Sequence, residues 1–269
     1  MSTLKRYLIA PVLAVGLAAC ATTPDGGRSQ MLLMSDTELN RMGEQAFAQL
    51  RQEKPRGGTA AQRRQVACIT DALVARLEPQ WRELPWEFEV FTDPTPNAFA
   101  LPGGKIGVHT GMFDVAADQH QLAAVIGHEI GHVIFRHANE RISRAQLVGV
   151  GAALGGAVVG ARTGTDGAGA AELLNVVGQG ALILPFSREQ EREADVYGQR
   201  LMADAGFDPA AAPRVWQNMI AASGGAGAPA FLSTHPDPGA RARTLEQRAP
   251  ELQAAMRQAH QAGRRPACG

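Results

Sequence analysis

The chain has 269 residues, 45% of them hydrophobic, with 26 Lys and Arg against 26 Asp and Glu. That length holds a single domain with a buried core. The balanced charge gives no electrostatic case for nucleic acid or another polyanionic partner.

Residues 1–19 read as an export signal. Lys5 and Arg6 supply a positive start, Tyr7 to Leu17 form an apolar core too short to span a bilayer, and small residues precede Cys20. Leu17-Ala18-Ala19-Cys20 resembles the bacterial lipobox, which implies cleavage before Cys20 and lipid attachment to it. Ala21, in place of an acidic residue, resembles a signal for outer-membrane sorting. Residues 20–34, with Pro24, Gly26 and Gly27, are expected to be the lipidated N-terminus and a tether. In an oxidising compartment Cys68 and Cys268 are expected to join the C-terminal tail to an early helix.

A single domain is expected over 35–263, with a short tail at 264–269. Ser35-Asp36-Thr37-Glu38 has the capping-box form and opens a helix to about Gln52, and a second helix runs from Thr59 to about Glu78. Trp86 to Val90 alternates as a half-buried strand, and strands near 98–109 turn at Gly103-Gly104. Helices, a small antiparallel sheet and more helices indicate an α+β domain that is mainly helical.

His128-Glu129-Ile130-Gly131-His132 follows within a helix expected from Asp118 to about Arg144, whose apolar residues recur at three- and four-residue steps. Histidines four apart share a face, while the residue after the first projects about 100° round the axis. Two imidazoles can then hold Zn²⁺, with Glu129 beside the metal as a base for water. A third ligand is expected on a later helix. Ser187 can cap the segment Arg188 to Asp195, in which Glu191 and Asp195 lie one turn apart. Glu191 is the expected ligand, and Asp195 is expected to accept the other ring N–H of His128. Glu189 and Glu193 are expected on a solvated face with Arg188 and Arg192.

Between these helices, 147–185 is apolar and glycine-rich, and reads either as a tight helical hairpin or as a lid. After a helix opening at Asp208-Pro209 and a break at Gly224–Pro229, His235 lies on a loop stiffened by Pro236 and Pro238. It either donates to the oxyanion or occupies the open metal position and holds the site latent. Arg241 is a weaker candidate for the same pocket. Two short helices are expected near 240–247 and 250–261. His137 is expected on another face of the pentad helix, on the surface or behind a ligand. The facing of His109 stays open, and His120 and His260 read as exposed helix positions.

Asn97-Ala98-Phe99-Ala100-Leu101-Pro102-Gly103-Gly104, the pentad with trailing Arg136-His137, Glu191 with Asp195, and Thr234-His235-Pro236 occur in this order. Together they resemble the gluzincin metallopeptidases that include the CAAX prenyl endopeptidases, HtpX-type membrane proteases and small LoiP-like outer-membrane lipoproteins, the last being the nearest type. The resemblance covers about residues 35–250. It implies a zincin-type domain with one Zn²⁺ per chain on His128, His132 and Glu191, Glu129 as general base and His235 as an active-site element. It also implies an edge strand in which Asn97, Ala98, Phe99, Gly103 and Gly104 meet an extended substrate. The expected activity is endopeptidase cleavage of misfolded or misassembled envelope proteins at the periplasmic face of the outer membrane, alongside other proteases or assembly machinery. The alternative is a chaperone or assembly factor whose zinc is latent or structural.

Overall fold

The computed structural model describes residues 20–147, 185–222 and 230–269. The export signal, the interior of the hairpin or lid stretch and the break at 224–229 lie outside the described residues. The chain forms two units, Met1–Glu38 with Ala138–Leu184, and Leu39–His137 with Pro185–Gly269.

In the first unit, β1 (Cys20–Thr22) and β2 (Ser29–Met31) pair antiparallel with Ala21 opposite Gln30. This hairpin occupies most of the segment expected to be a tether. It is held to the helical residues 138–147. Arg28 makes a two-pronged ion pair with Glu140 at 2.7 and 2.8 Å, and Leu33 N donates to Ser143 Oγ at 2.8 Å.

The second unit carries most of α1 (Asp36–Glu53), then α2 (Ala60–Val74) and the single turn α3 (Pro79–Arg82). Thr59 and Gln62 cap α2 reciprocally, each side chain accepting from the other's backbone N–H. The helix stops at Val74, short of the expected Glu78. Strands β3 (Glu87–Phe91), β4 (Ala98–Leu101) and β5 (Lys105–His109) form a sheet ordered β3-β5-β4. The expectation of an antiparallel sheet is corrected: β4 pairs antiparallel with β5, but β3 runs parallel to it. The chain leaves β3, forms the far edge first and returns through the centre, so β5 enters beside β3 in the same direction. Gly103 and Gly104 make the β4–β5 turn at φ of +79° and +76°, where a side chain would be strained.

After the one-turn α4 (Met112–Val115), α5 (Gln119–Ile134) carries the pentad, and Asp118 caps it by accepting from His120 N and Gln121 N. Leu122, Val125, Ile126 and Ile130 are buried in the core, each worth about 1.5–3 kcal/mol by area. The helix ends at Ile134, ten residues before the expected Arg144. Phe135 and Arg136 form a turn, Arg136 takes φ of +54°, and helix resumes at 137. Ser187 and Gln190 cap α6 (Arg188–Ala205), and Gly206 at φ of +97° closes it. It is followed by α7 (Ala211–Ala222), α8 (Ala230–Thr234) and α9 (Pro238–Gln261). The last is one helix, not two. Pro250 lies inside it and removes one N–H without ending it.

Small residues bring α5 and α6 together at backbone contact. A Cβ on Gly131 would meet Ala194 Cα at 2.9 Å, and one on Gly198 would meet Gly127 C at 2.7 Å. Cys268 is bonded to Cys68, and Gln119 Nε2 donates to Pro266 O at 3.1 Å, which fixes the tail. Among the described residues no helix is long and apolar enough to cross a membrane.

Candidate metal centre

The close approach of α5 and α6 converts their sequence spacing into a site. His128 Nε2 and His132 Nε2 lie 3.0 Å apart, and Glu191 reaches them with Oε2 at 3.6 Å from the first and Oε1 at 3.5 Å from the second. His235 Nδ1 completes the group, 3.2 Å from His128 Nε2 and 3.0 Å from Glu191 Oε1. All four side chains are buried, and their donor atoms lie within 4.8 Å of one another. Four ligands placed tetrahedrally at about 2.0–2.1 Å from an ion would be about 3.3–3.4 Å apart, so this cluster has the size and donor chemistry of a zinc site. Three imidazole lone pairs this close repel unless a cation or a proton lies among them.

A buried ion-pair network supports the cluster. Asp195 Oδ1 is 3.0 Å from His128 Nδ1. Arg241 holds Asp195 with Nε and Nη2, each at 2.7 Å, pairs with Glu191 through Nη1, and stacks its guanidinium 3.8 Å above the Trp216 ring. Burial pushes the Asp195 carboxyl up, but Arg241 and His128 outweigh it and hold it well below the carboxylate range. Glu191 is likewise held below its ordinary value, because His235 and Arg241 overcome its burial. Both carboxylates are therefore ionised near neutral pH.

Of the two roles open for His235, its position matches occupation of the metal site. Phe231 and Phe186 stack on it, with ring centroids at 4.1 and 5.2 Å, and Phe186 N donates to Thr234 O at 3.0 Å. Burial pushes His235 down to about 4, against the opposing pull of Glu191, which leaves a neutral imidazole as a donor. Glu129 stands beside the cluster, with Oε1 3.7 Å from His235 Nε2 and Oε2 accepting from Ala100 N at 3.1 Å.

That bond ties the expected edge strand to the site through Ala100. Asn97 O accepts from His109 N, so Asn97 and Phe99 pair inward with β5 while the backbone groups of Ala98 and Ala100 point outward. Gly103 packs on Asn40 and Gly104 on Trp86, at the turn.

Other expectations change. Glu193 is not on a solvated face: it is 2% exposed, and its Oε2 lies 2.9 Å from His137 Nε2. His137 is fully buried, its Nδ1 2.8 Å from His132 Nδ1. Glu189 does pair with Arg192 at the surface. His120 and His260 are partly buried, His120 Nδ1 accepting from Asp208 N and His260 Nε2 donating to Gly206 O. His109 is buried near Asp93, and burial lowers its pKa.

Comparison with known proteins gives this geometry a family. Over 172 residues, 64% of the chain, it is 43% identical to the mitochondrial metalloendopeptidase OMA1 of Schizosaccharomyces pombe, covering 49% of that protein. It is 37% identical over 168 residues, 60% of the chain, to its namesake in Arabidopsis thaliana, covering 31% of it. Over 263 residues, 93% of the chain, it is 28% identical to the beta-barrel assembly-enhancing protease of Escherichia coli, covering 53% of it. The chain thus spans about half the length or less of these curated relatives. Residues 60–249, which include the pentad, Glu191, Asp195, His235 and Arg241, match peptidase family M48, and the chain belongs to that family.

Proposed function

We propose that this protein is a zinc-dependent endopeptidase that hydrolyses misfolded or misassembled envelope proteins, anchored through lipid on Cys20 to the periplasmic face of the outer membrane. In type it is similar to the small LoiP-like lipoproteins. The observation that carries the reading is the convergence of His128, His132 and Glu191 with Glu129 at their side.

Zinc bound there would acidify a water molecule and polarise the scissile carbonyl. Glu129 takes the proton from the water and passes it to the leaving amine. Asp195 and Arg241 hold His128 and Glu191 in position. The outward backbone of Ala98 and the outward carbonyl of Ala100 pair with an extended substrate, a mode that reads conformation more than side-chain identity and suits unfolded chains. His235 fills the position a substrate needs, so its loop withdraws before turnover.

Glu129→Gln tests this reading. The variant is expected to keep one zinc per chain while losing hydrolysis of an unfolded substrate, and wild-type turnover of that protein without bound zinc would overturn it. The chaperone or assembly alternative is favoured by one observation, the closure of the site by His235. It predicts that Glu129→Gln still complements a deletion strain.

A further inference from the structure

His137 and Glu193 lie outside the ligand set, yet the fold goes to some expense to bring them behind it. On an uninterrupted helix residue 137 would sit about 140° round the axis from residue 132. Instead α5 breaks at Phe135–Arg136, with a non-glycine residue at φ of +54°, and the chain re-enters helix at His137. A bulky residue in that region is strained. The result is a contact of 2.8 Å between His137 Nδ1 and His132 Nδ1. Glu193 comes from α6, two residues past Glu191, and meets the far nitrogen of His137 at 2.9 Å. Both side chains are almost wholly buried, and a carboxylate and an imidazole are costly to remove from water.

With Glu193 a carboxylate and His137 neutral, these two contacts leave one arrangement of protons. Glu193 as a carboxylate only accepts, so His137 Nε2 carries the hydrogen between them. A neutral His137 then presents a lone pair at Nδ1. The contact with His132 Nδ1 is satisfied only if His132 donates there, which leaves a lone pair on His132 Nε2, the atom that faces His128 and Glu191. We propose that Glu193 and His137 form a relay that fixes the Nδ1–H tautomer of His132 and so aims its Nε2 at the metal. These are positioning residues. They do for the second histidine what Asp195 does for the first, but with an imidazole inserted between carboxylate and ligand.

The inference rests on the zinc reading for its purpose but not for its test. In metal-free full-length protein with ¹⁵N-labelled histidine, the ring shifts of His132 should report the Nδ1–H form. Zinc affinity is then compared in two variants. His137→Asn puts an amide oxygen near the position of Nδ1 and should retain most of the affinity. The double variant His137→Leu with Glu193→Met fills the volume with apolar atoms, so it should fold but lose the tautomer preference and about 10–100-fold in zinc affinity. A role in packing alone predicts the reverse ranking. An Nε2–H tautomer of His132 in the wild type, or equal zinc affinity in the double variant and wild type, would overturn the relay. Failure of the wild type to bind zinc while His132 keeps the Nδ1–H form would count against the metallopeptidase reading and leave the relay standing.

Discussion

Asp195 Oδ1 lies 3.0 Å from His128 Nδ1, on the side of the ring opposite the Nε2 that faces His132 and His235. The same carboxylate is gripped by Arg241, which also pairs with Glu191. One arginine therefore steadies both a ligand and the group that orients another ligand. Asp195→Ala is expected to weaken zinc binding by about 10–100-fold, read by competition with a chromophoric chelator. An unchanged affinity would mean that His128 is aimed by packing alone.

His235 is the ligand on a loop, and the gating role makes an unusual demand on mutagenesis. His235→Ala is expected to raise the rate of hydrolysis of an unfolded substrate while zinc remains bound by His128, His132 and Glu191. A fall in kcat by a factor of about 100 or more would instead assign the residue to oxyanion stabilisation.

Acid should loosen the metal-free site in a defined window. Burial holds His235 at about 4, below the roughly 6.5 of an unfolded histidine. A group with a depressed folded value contributes its stability in full above its unfolded value and loses it as the pH falls through the folded one. Glu191 and Asp195 are also held low and act in the same direction at lower pH. The melting temperature of chelated protein is thus expected to fall from pH 7 to pH 5 and further by pH 4. A flat profile over that range would contradict the placement of His235.

The crossing of α5 and α6 leaves no space for a methyl group between them. Gly198→Ala would push a Cβ to 2.7 Å from backbone atoms of Gly127 and His128, which cannot give way as a flexible side chain would. Overpacking of this kind costs about 1–3 kcal/mol, measurable by urea denaturation, and it should also lower zinc affinity by separating Glu191 from the histidines. A neutral substitution would show that the helices have slack.

The metal cluster was legible because its signals are local. The pentad sits on a strongly periodic helix, and Ser187 fixes the start of α6, so the facing of Glu191 follows from counting residues. His137 and Glu193 were hidden for the opposite reason. A helix break at Arg136 uses a residue with no preference for positive φ, and nothing in the spacing announces it. Glu193, flanked by Arg192 and near Arg188, has the pattern of a wet face, and nothing in that pattern reveals its burial against His137, just past the break after α5. The parallel pairing of β3 with β5 depends on the order in which the chain visits the sheet, which alternation within each strand does not encode. Pro250 signals a helix end by its chemistry, yet α9 continues through it, as tertiary packing of Leu245 and Leu252 on either side outweighs one missing hydrogen bond.

Two imidazoles of α5 and the carboxylate of Glu191 are expected to hold a zinc ion jointly. Zinc-edge X-ray absorption combined with elemental analysis, on protein purified without chelators, tests it most directly. The expected result is one zinc per chain with imidazole nitrogens at about 2.0–2.1 Å, lost in the double variant Glu191→Ala with His235→Ala. Protein that contains no stoichiometric metal, or zinc that stays in place in that double variant, would contradict the account.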